Sequence, residues 1–121
     1  MKNSRKAAYT KGHRAEQIAA LYLRLCGYSI LATRFKTPVG EIDLIARRGH
    51  LIAFTEVKWR ASSDKALEAV QLSAQHRISR AALYWLTRQP QYCDFDQRFD
   101  VIALAPWRWP IHLTNAFDAP I

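Results

Sequence analysis

Three carboxylates interrupt two strand-length hydrophobic runs, and a chain that folds around such runs must place those charges somewhere. The first run is Gly40-Glu41-Ile42-Asp43-Leu44-Ile45-Ala46, and the second is Leu51-Ile52-Ala53-Phe54-Thr55-Glu56-Val57-Lys58. Both have the composition of strands, and Arg48-Gly49 between them has the chemistry of a turn. Side chains alternate across a strand. Glu41, Asp43, Ile45 and Arg47 therefore share one face, as do Ile52, Phe54, Glu56 and Lys58. A two-residue loop at Arg48-Gly49 pairs Arg47 with His50, which sets Glu41 opposite Glu56 and Asp43 opposite Phe54. Cross-strand partners point to the same side, so Glu41, Asp43, Glu56 and Lys58 are expected on one patch. A slip of one residue would send Asp43 to the other face.

Such a patch needs compensation. Two carboxylates about 4 Å apart repel by about 4 kcal/mol at an effective dielectric of about 20. Lys58 offsets only part of this, and a divalent cation would supply the rest. Mg²⁺ (or Mn²⁺) takes hard oxygen ligands and keeps several waters. With a lysine beside it, such an ion has the parts for phosphodiester hydrolysis. The plainer alternative is an ordinary Glu56–Lys58 ion pair on an exposed strand, since the ExK pattern is common.

Elsewhere the pattern is that of one α/β domain. Residues 1–10 read as a flexible basic arm, and residues 11–121 as the domain itself. Helical periodicity runs from about Lys11 to Cys26, and Gly27 stands where a helix-terminating glycine belongs. Strands are expected at Tyr28 to Phe35, Glu41 to Arg47, His50 to Trp59, Arg98 to Leu104 and Trp109 to Leu113. A second long helix ends near Leu86, with Leu72 onward its clearest stretch. The order αβββαββ predicts a mixed central sheet flanked by helices.

Charge narrows the partner. Lys and Arg outnumber Asp and Glu by 18 to 10, a net +8 on 121 residues, and such an excess favours a polyanion. Lys2, Arg5, Lys6, Lys11 and Arg14 are the best candidates for phosphate contact. No apolar run reaches the roughly 20 residues of a membrane helix. Cys26 and Cys93 form no CxxC pair, which fits a reduced, cytoplasmic protein.

The motifs carry a resemblance. Gly-Glu-Ile-Asp-Leu-Ile at 40–45, Phe-Thr-Glu-Val-Lys-Trp-Arg at 54–60 and Arg-Phe-Asp-Val-Ile at 98–102 resemble the YraN family of bacterial proteins. So do Gly12-His13-Arg14-Ala15-Glu16, Ala19, Leu23 and Gly27-Tyr28, and the likeness spans residues 9–104. That family is similar to archaeal Holliday-junction resolvases and the wider PD-(D/E)xK nucleases. The resemblance implies a restriction-endonuclease-like fold and a DNA endonuclease, with branched or structured DNA as substrate. It implies Asp43 and Glu56 as metal ligands, Lys58 as catalytic lysine, Glu16 as a further acidic member and Val57 as a carbonyl donor. A homodimer follows only by analogy with the resolvases. One position departs: related sequences usually carry a lysine where this chain has Ala74, ahead of Gln75-His76-Arg77. Gln75 is a partial substitute.

Other residues carry weaker signals. Glu16 also fits a solvated helix face. Asp100 interrupts a core strand and is expected to pair with a nearby arginine rather than to catalyse. The four histidines, His13, His50, His76 and His112, lack zinc-like spacing. Trp107 and Trp109 flank Arg108, suited either to stacking on bases or to capping a core. Two further functions stay open at this point. One is a non-catalytic nucleic-acid-binding or adaptor protein, favoured by Ala74. The other is a protein-interaction module built on Trp85, Trp107 and Trp109.

Overall fold

Five strands form one sheet in the order β1-β2-β3-β4-β5. The computed structural model describes residues 2–59 and 72–119, with side chains from residue 13 onward. Helix α1 is Lys2–Leu25. Strands β1 (Ser29–Thr37), β2 (Gly40–Arg48) and β3 (Leu51–Trp59) form an antiparallel meander. Helix α2 (Leu72–Thr87) precedes β4 (Asp96–Leu104), which pairs parallel to β3. Strand β5 (Ile111–Phe117) returns antiparallel to β4. The mixed sheet with a helix on each face is consistent with a restriction-endonuclease-like α/β fold. Helix α1 starts at Lys2 rather than near Lys11, so residues 2–10, expected as a flexible arm, are helical in their backbone. The phosphate contacts assigned to Lys2, Arg5, Lys6 and Lys11 concern side chains outside the described residues. No helix of the described residues is long and apolar enough to cross a membrane.

Local chemistry explains the element ends. Gly27 takes φ +91°, and two bonds close the end of α1: the Tyr28 N–H to the Leu23 carbonyl at 2.9 Å, and the Gly27 N–H to the Arg24 carbonyl at 3.0 Å. This is the left-handed glycine termination the sequence predicts. At the β1–β2 turn, the Thr37 hydroxyl accepts from the Val39 and Gly40 N–H groups and donates to the Gly40 carbonyl. Pro38 thus sits in a turn stapled by one side chain.

Each sheet face has its own core. Ile45, Ile52, Phe54, Phe99 and Val101 pack with Ile78, Ala81, Ala82 and Trp85 of α2. Leu44, Ala46, Ala53, Ile102 and Leu104 pack with Ala15, Ala19, Ala20 and Leu23 of α1. Burial on both faces is why Leu51–Phe54 of β3 and Val101–Leu104 of β4 are unbroken apolar runs. One strand departs from strict alternation. Ile42 joins the α2-side core although Leu44, two residues on, joins the α1 side. The backbone of β2 therefore turns over as it passes Asp43.

The β2–β3 register differs from the expected one by two residues. Arg47 pairs with Ile52 rather than His50, and Ile45 rather than Asp43 lies opposite Phe54. The turn is Gly49-His50, not Arg48-Gly49. Gly49 takes φ +60° at the first central position, where a two-residue hairpin favours glycine. Arg48 accordingly stays in the strand, paired with Leu51. A shift of two preserves the faces, and it brings Asp43 level with Glu56. Strand β5 also starts two residues later than expected, leaving Trp109 in the loop before Pro110.

Helix α2 docks on β2 through backbone. A Cβ at Gly40 would overlap the Arg77 carbonyl oxygen and stand 2.8 Å from its carbon. Glycine is required here for close approach, not for its dihedral freedom. Gly40→Ala is expected to destabilise the protein by about 1–3 kcal/mol, the usual cost of overpacking. Urea unfolding measures this, and a loss under about 0.5 kcal/mol would mean that the seam yields freely.

Candidate functional site

The β2–β3 ladder stops at Leu44↔Thr55 although both strands run on. Asp43 occupies the gap. Its Oδ2 accepts the Val57 N–H at 2.8 Å, taking the place of a strand carbonyl. The carboxylate is thus fixed by main chain at the point where the sheet opens. Beside it a hollow of about 60 Å³ is lined by Glu41, Asp43, Thr55 and Glu56 from the strands and by Ala74, Arg77 and Ile78 from α2.

Glu56 is the less satisfied of the central pair. Its Oε2 is buried and has no hydrogen-bond partner, and the Thr55 hydroxyl next to it is also unpartnered. An orphaned buried carboxylate oxygen is costly and calls for an explanation such as an ion. Burial pushes the Glu56 carboxyl above its ordinary range, and Asp43 pushes it further, against the pull of Lys58 and Arg77. Asp43 is likewise raised, first by burial, with the Val57 N–H opposing and Glu41 adding to the rise. Both carboxyls therefore hold protons more readily than free ones.

Glu16 reaches the same region from α1. Its Oε2 lies 3.2 Å from the Arg34 Nε, and a second hollow joins Glu16, Arg34 and Lys36 to Glu41 and Asp43. Burial, then Asp43, raises the Glu16 carboxyl, and Arg34 opposes. The strand residue holding this ion pair is itself unusual. Arg34 takes φ +49°, a left-handed conformation that costs a non-glycine residue energy, and it lies across β1–β2 from Asp43 by the flanking register.

The structure therefore brings Glu41, Asp43 and Glu56 around one hollow, and Glu16 beside Asp43 around the next. Lys58 does not line the hollow, but its charge acts on Glu56. Gln75 is half-buried on α2, next to Ala74. Arg14 is exposed. Arg77 is the residue that sequence reasoning missed. Its spacing of three from Ala74 puts both on one helix face, and that spacing was the available signal. Among the described residues, no three His, Cys, Asp or Glu side chains form a ready-made metal cage. The donors fit a hard cation that takes one or two carboxylates and completes its shell with water.

Asp100 belongs to different machinery. It is fully buried and accepts from Arg98 through two bonds of 2.7 Å, from the Asn115 N–H at 3.0 Å, and pairs with His112 Nε2 at 2.8 Å. Arg98 also donates to the Tyr28 hydroxyl at 2.7 Å. Burial alone would raise the Asp100 carboxyl, but the bonds from His112 and Arg98 outweigh it and hold it below the ordinary range. This is the structural pairing the sequence predicts, and it clamps β4 to β5 and to the exit of α1.

Comparison with known proteins follows the same outline. Residues 15–104 match the model of the uncharacterised protein family UPF0102. A UPF0102 protein of Chelativorans sp. is 57% identical over 116 residues, covering 96% of this chain and 94% of its own length. One from Sinorhizobium medicae is 54% identical over 110 residues, covering 91% and 90%. One from Bartonella tribocorum is 48% identical over 118 residues, covering 98% and 91%.

Proposed function

This chain belongs to the uncharacterised protein family UPF0102, the YraN family of the motif comparison, and we propose that it is a divalent-metal-dependent endonuclease hydrolysing phosphodiester bonds of DNA, with branched or structured DNA as substrate. The observation that carries this reading is the buried, unpartnered Oε2 of Glu56 beside Asp43 in a hollow open to α2. Asp43 and Glu56 would hold Mg²⁺ or Mn²⁺, with the Val57 carbonyl as a third donor. When bound, the ion supplies Lewis-acid stabilisation of charge on the phosphate. Lys58 orients the attacking water, and Arg77 neutralises a phosphate oxygen from the helix side. Glu16 and Glu41 tune the charge around Asp43, and Gln75 is a further contact from α2. A cytoplasmic location and a homodimer belong to the same reading.

A second reading rests on Ala74. It lines the hollow where a helix lysine would otherwise stand, which favours a non-catalytic nucleic-acid-binding or adaptor protein with the same fold. A nicking assay on plasmid, linear and four-way-junction DNA, run with Mg²⁺, Mn²⁺ and EDTA, separates the two. Cleavage that EDTA abolishes supports the nuclease. No cleavage on any form, with melting unmoved by Mg²⁺, supports the binding protein.

The nuclease, and a DNA-binding protein with the same fold, both require DNA affinity that falls with salt. The net charge of +8 and five basic residues before position 15 motivate this. On duplex DNA the slope of log K against log salt should be about −0.9 per neutralised phosphate. Deleting residues 2–6 should flatten it. Absence of DNA binding even at low salt would remove the nuclease and the DNA-binding form of the second reading, and leave the adaptor.

A further inference from the structure

The loop between β4 and β5 presents the two most exposed large apolar side chains among the described residues. Trp107 is 102% exposed and Trp109 is 85% exposed, with exposed Arg108 between them and Pro106 and Pro110 on either side. A tryptophan normally secures a large part of its surface in a core or interface. Here two of them, one residue apart, give that up. Trp107 also takes φ +63°, a backbone region that suits glycine and costs an L side chain energy. Local strain of this kind, kept on an exposed tip, points to a use outside the fold.

Charge indicates what the tip meets. No acidic residue occurs between Asp100 and Asp118, and Asp100 is fully buried. The hairpin's own sequence therefore offers two indole faces and a guanidinium and contributes no exposed carboxylate of its own. Phosphate attracts the guanidinium, and unpaired bases stack on the indoles. Paired bases inside a duplex have no free faces to offer. The location agrees. Strands β3 and β4 run parallel and in step, with Glu56 beside Val101, Lys58 beside Ala103 and Trp59 beside Leu104. The loop leaves β4 directly after Leu104, so it stands at the end of the sheet towards which Glu56 and Lys58 lead. At about 3.3 Å per residue and about 4.8 Å per strand, its start lies on the order of 10 Å from Glu56. It also lies beyond the family match at 15–104.

We infer that Trp107-Arg108-Trp109 is a stacking platform for unpaired DNA bases, which holds a single-stranded segment next to the Asp43–Glu56 hollow. This deepens the nuclease reading by naming the feature of structured DNA that is recognised, and it rests on DNA being the partner.

The test is fluorescence anisotropy with labelled oligo(dT) and with a duplex of equal length, at low salt in EDTA so that no cleavage intervenes. Trp107→Ala/Trp109→Ala should weaken oligo(dT) binding by about tenfold or more and change duplex binding by less than about twofold. Trp107→Phe/Trp109→Phe keeps the aromatic faces and should retain most of the affinity. Equal weakening on both DNAs, or none on oligo(dT), overturns the inference. So does a change of oligomeric state in sedimentation with DNA binding intact, which would make the tip a protein contact. The inference and the nuclease reading fail separately. Metal-dependent cleavage by the wild type, with oligo(dT) binding unaffected in the alanine variant, removes only the platform. Tryptophan-dependent oligo(dT) binding by a protein that never cleaves supports the platform and removes the nuclease. A wild type that binds no DNA removes both.

Discussion

If the chain is the nuclease proposed above, Glu56→Gln should abolish metal-dependent cleavage and, without metal, make the protein more stable. The rate loss should be on the order of 10³-fold, because a metal ion contributes several kcal/mol of transition-state stabilisation. The gain in stability has an electrostatic origin. Glu56 is raised by burial and then by Asp43, and its Oε2 has no partner. A neutral amide of nearly the same shape removes a buried charge that Lys58 and Arg77 compensate only in part. The sign with pH follows. A carboxyl raised in the folded state contributes stability that is complete below its unfolded value and is lost as pH rises through the folded value. The metal-free wild type should therefore lose melting temperature as pH rises above the ordinary carboxyl values, 4.5 for Glu56 and 3.8 for Asp43. Glu56→Gln should flatten this fall, and Mg²⁺ should reverse it at neutral pH in the wild type alone. Asp43→Asn should act similarly, since its amide oxygen can still accept the Val57 N–H. Asp43→Ala should instead destabilise by about 1–3 kcal/mol by orphaning that donor. An ordinary Glu56–Lys58 ion pair predicts the opposite sign for Glu56→Gln. Thermal melts with and without Mg²⁺ across pH decide between them.

Asp100→Ala should be the most destabilising single change among the described residues, at about 3–5 kcal/mol. It would strand the Arg98 guanidinium and the Asn115 N–H together and remove the partner of His112. Against a total stability of about 5–15 kcal/mol for a typical domain, this brings the protein close to unfolding. Asp100 is lowered, so its contribution is present above 3.8 and is lost as pH falls through the folded value. That loss lies on the acid side of the Glu56 effect, so the two separate in one pH series. The double variant Arg98→Met/Asp100→Leu removes both charges and should recover much of the loss. Urea denaturation gives the values. A loss below about 1 kcal/mol for Asp100→Ala would mean that the network contributes no more than a surface pair.

The local parts of this architecture were legible and the non-local parts were not. Alternation in Leu51–Lys58 puts Glu56 and Lys58 on one face, whereas Glu41 and Asp43 meet at the hollow across a break in the alternation of β2 between Ile42 and Leu44. The register was off by two because the position of the turn depended on which residue took the left-handed conformation, and Gly49 takes it as the first turn residue rather than the second. The reversal of β2 at Asp43 left no mark in the hydrophobic pattern. It coincides with the left-handed Arg34 on β1 and with the close approach of α2 at Gly40, neither of which the β2 segment itself announces. Asp100 could be given an arginine partner two residues away, but Tyr28 and His112 reach the network only through the fold. Arg77 was hidden for the same reason, although its helix face could be counted.

The contact between Gly40 and Arg77 is made by main chain on both sides. Main chain is the one part of a residue that substitution leaves in place. The span between β2 and α2 is therefore fixed by a component that most mutations at positions 74 and 77 do not alter, while the side chains projecting from those positions are free to vary. Frame and chemistry are inherited separately here. The side chains at Ala74 and Arg77 can each be exchanged without the helix having to find a new seat. Such a joint lets a lineage vary what lines the hollow at little structural risk.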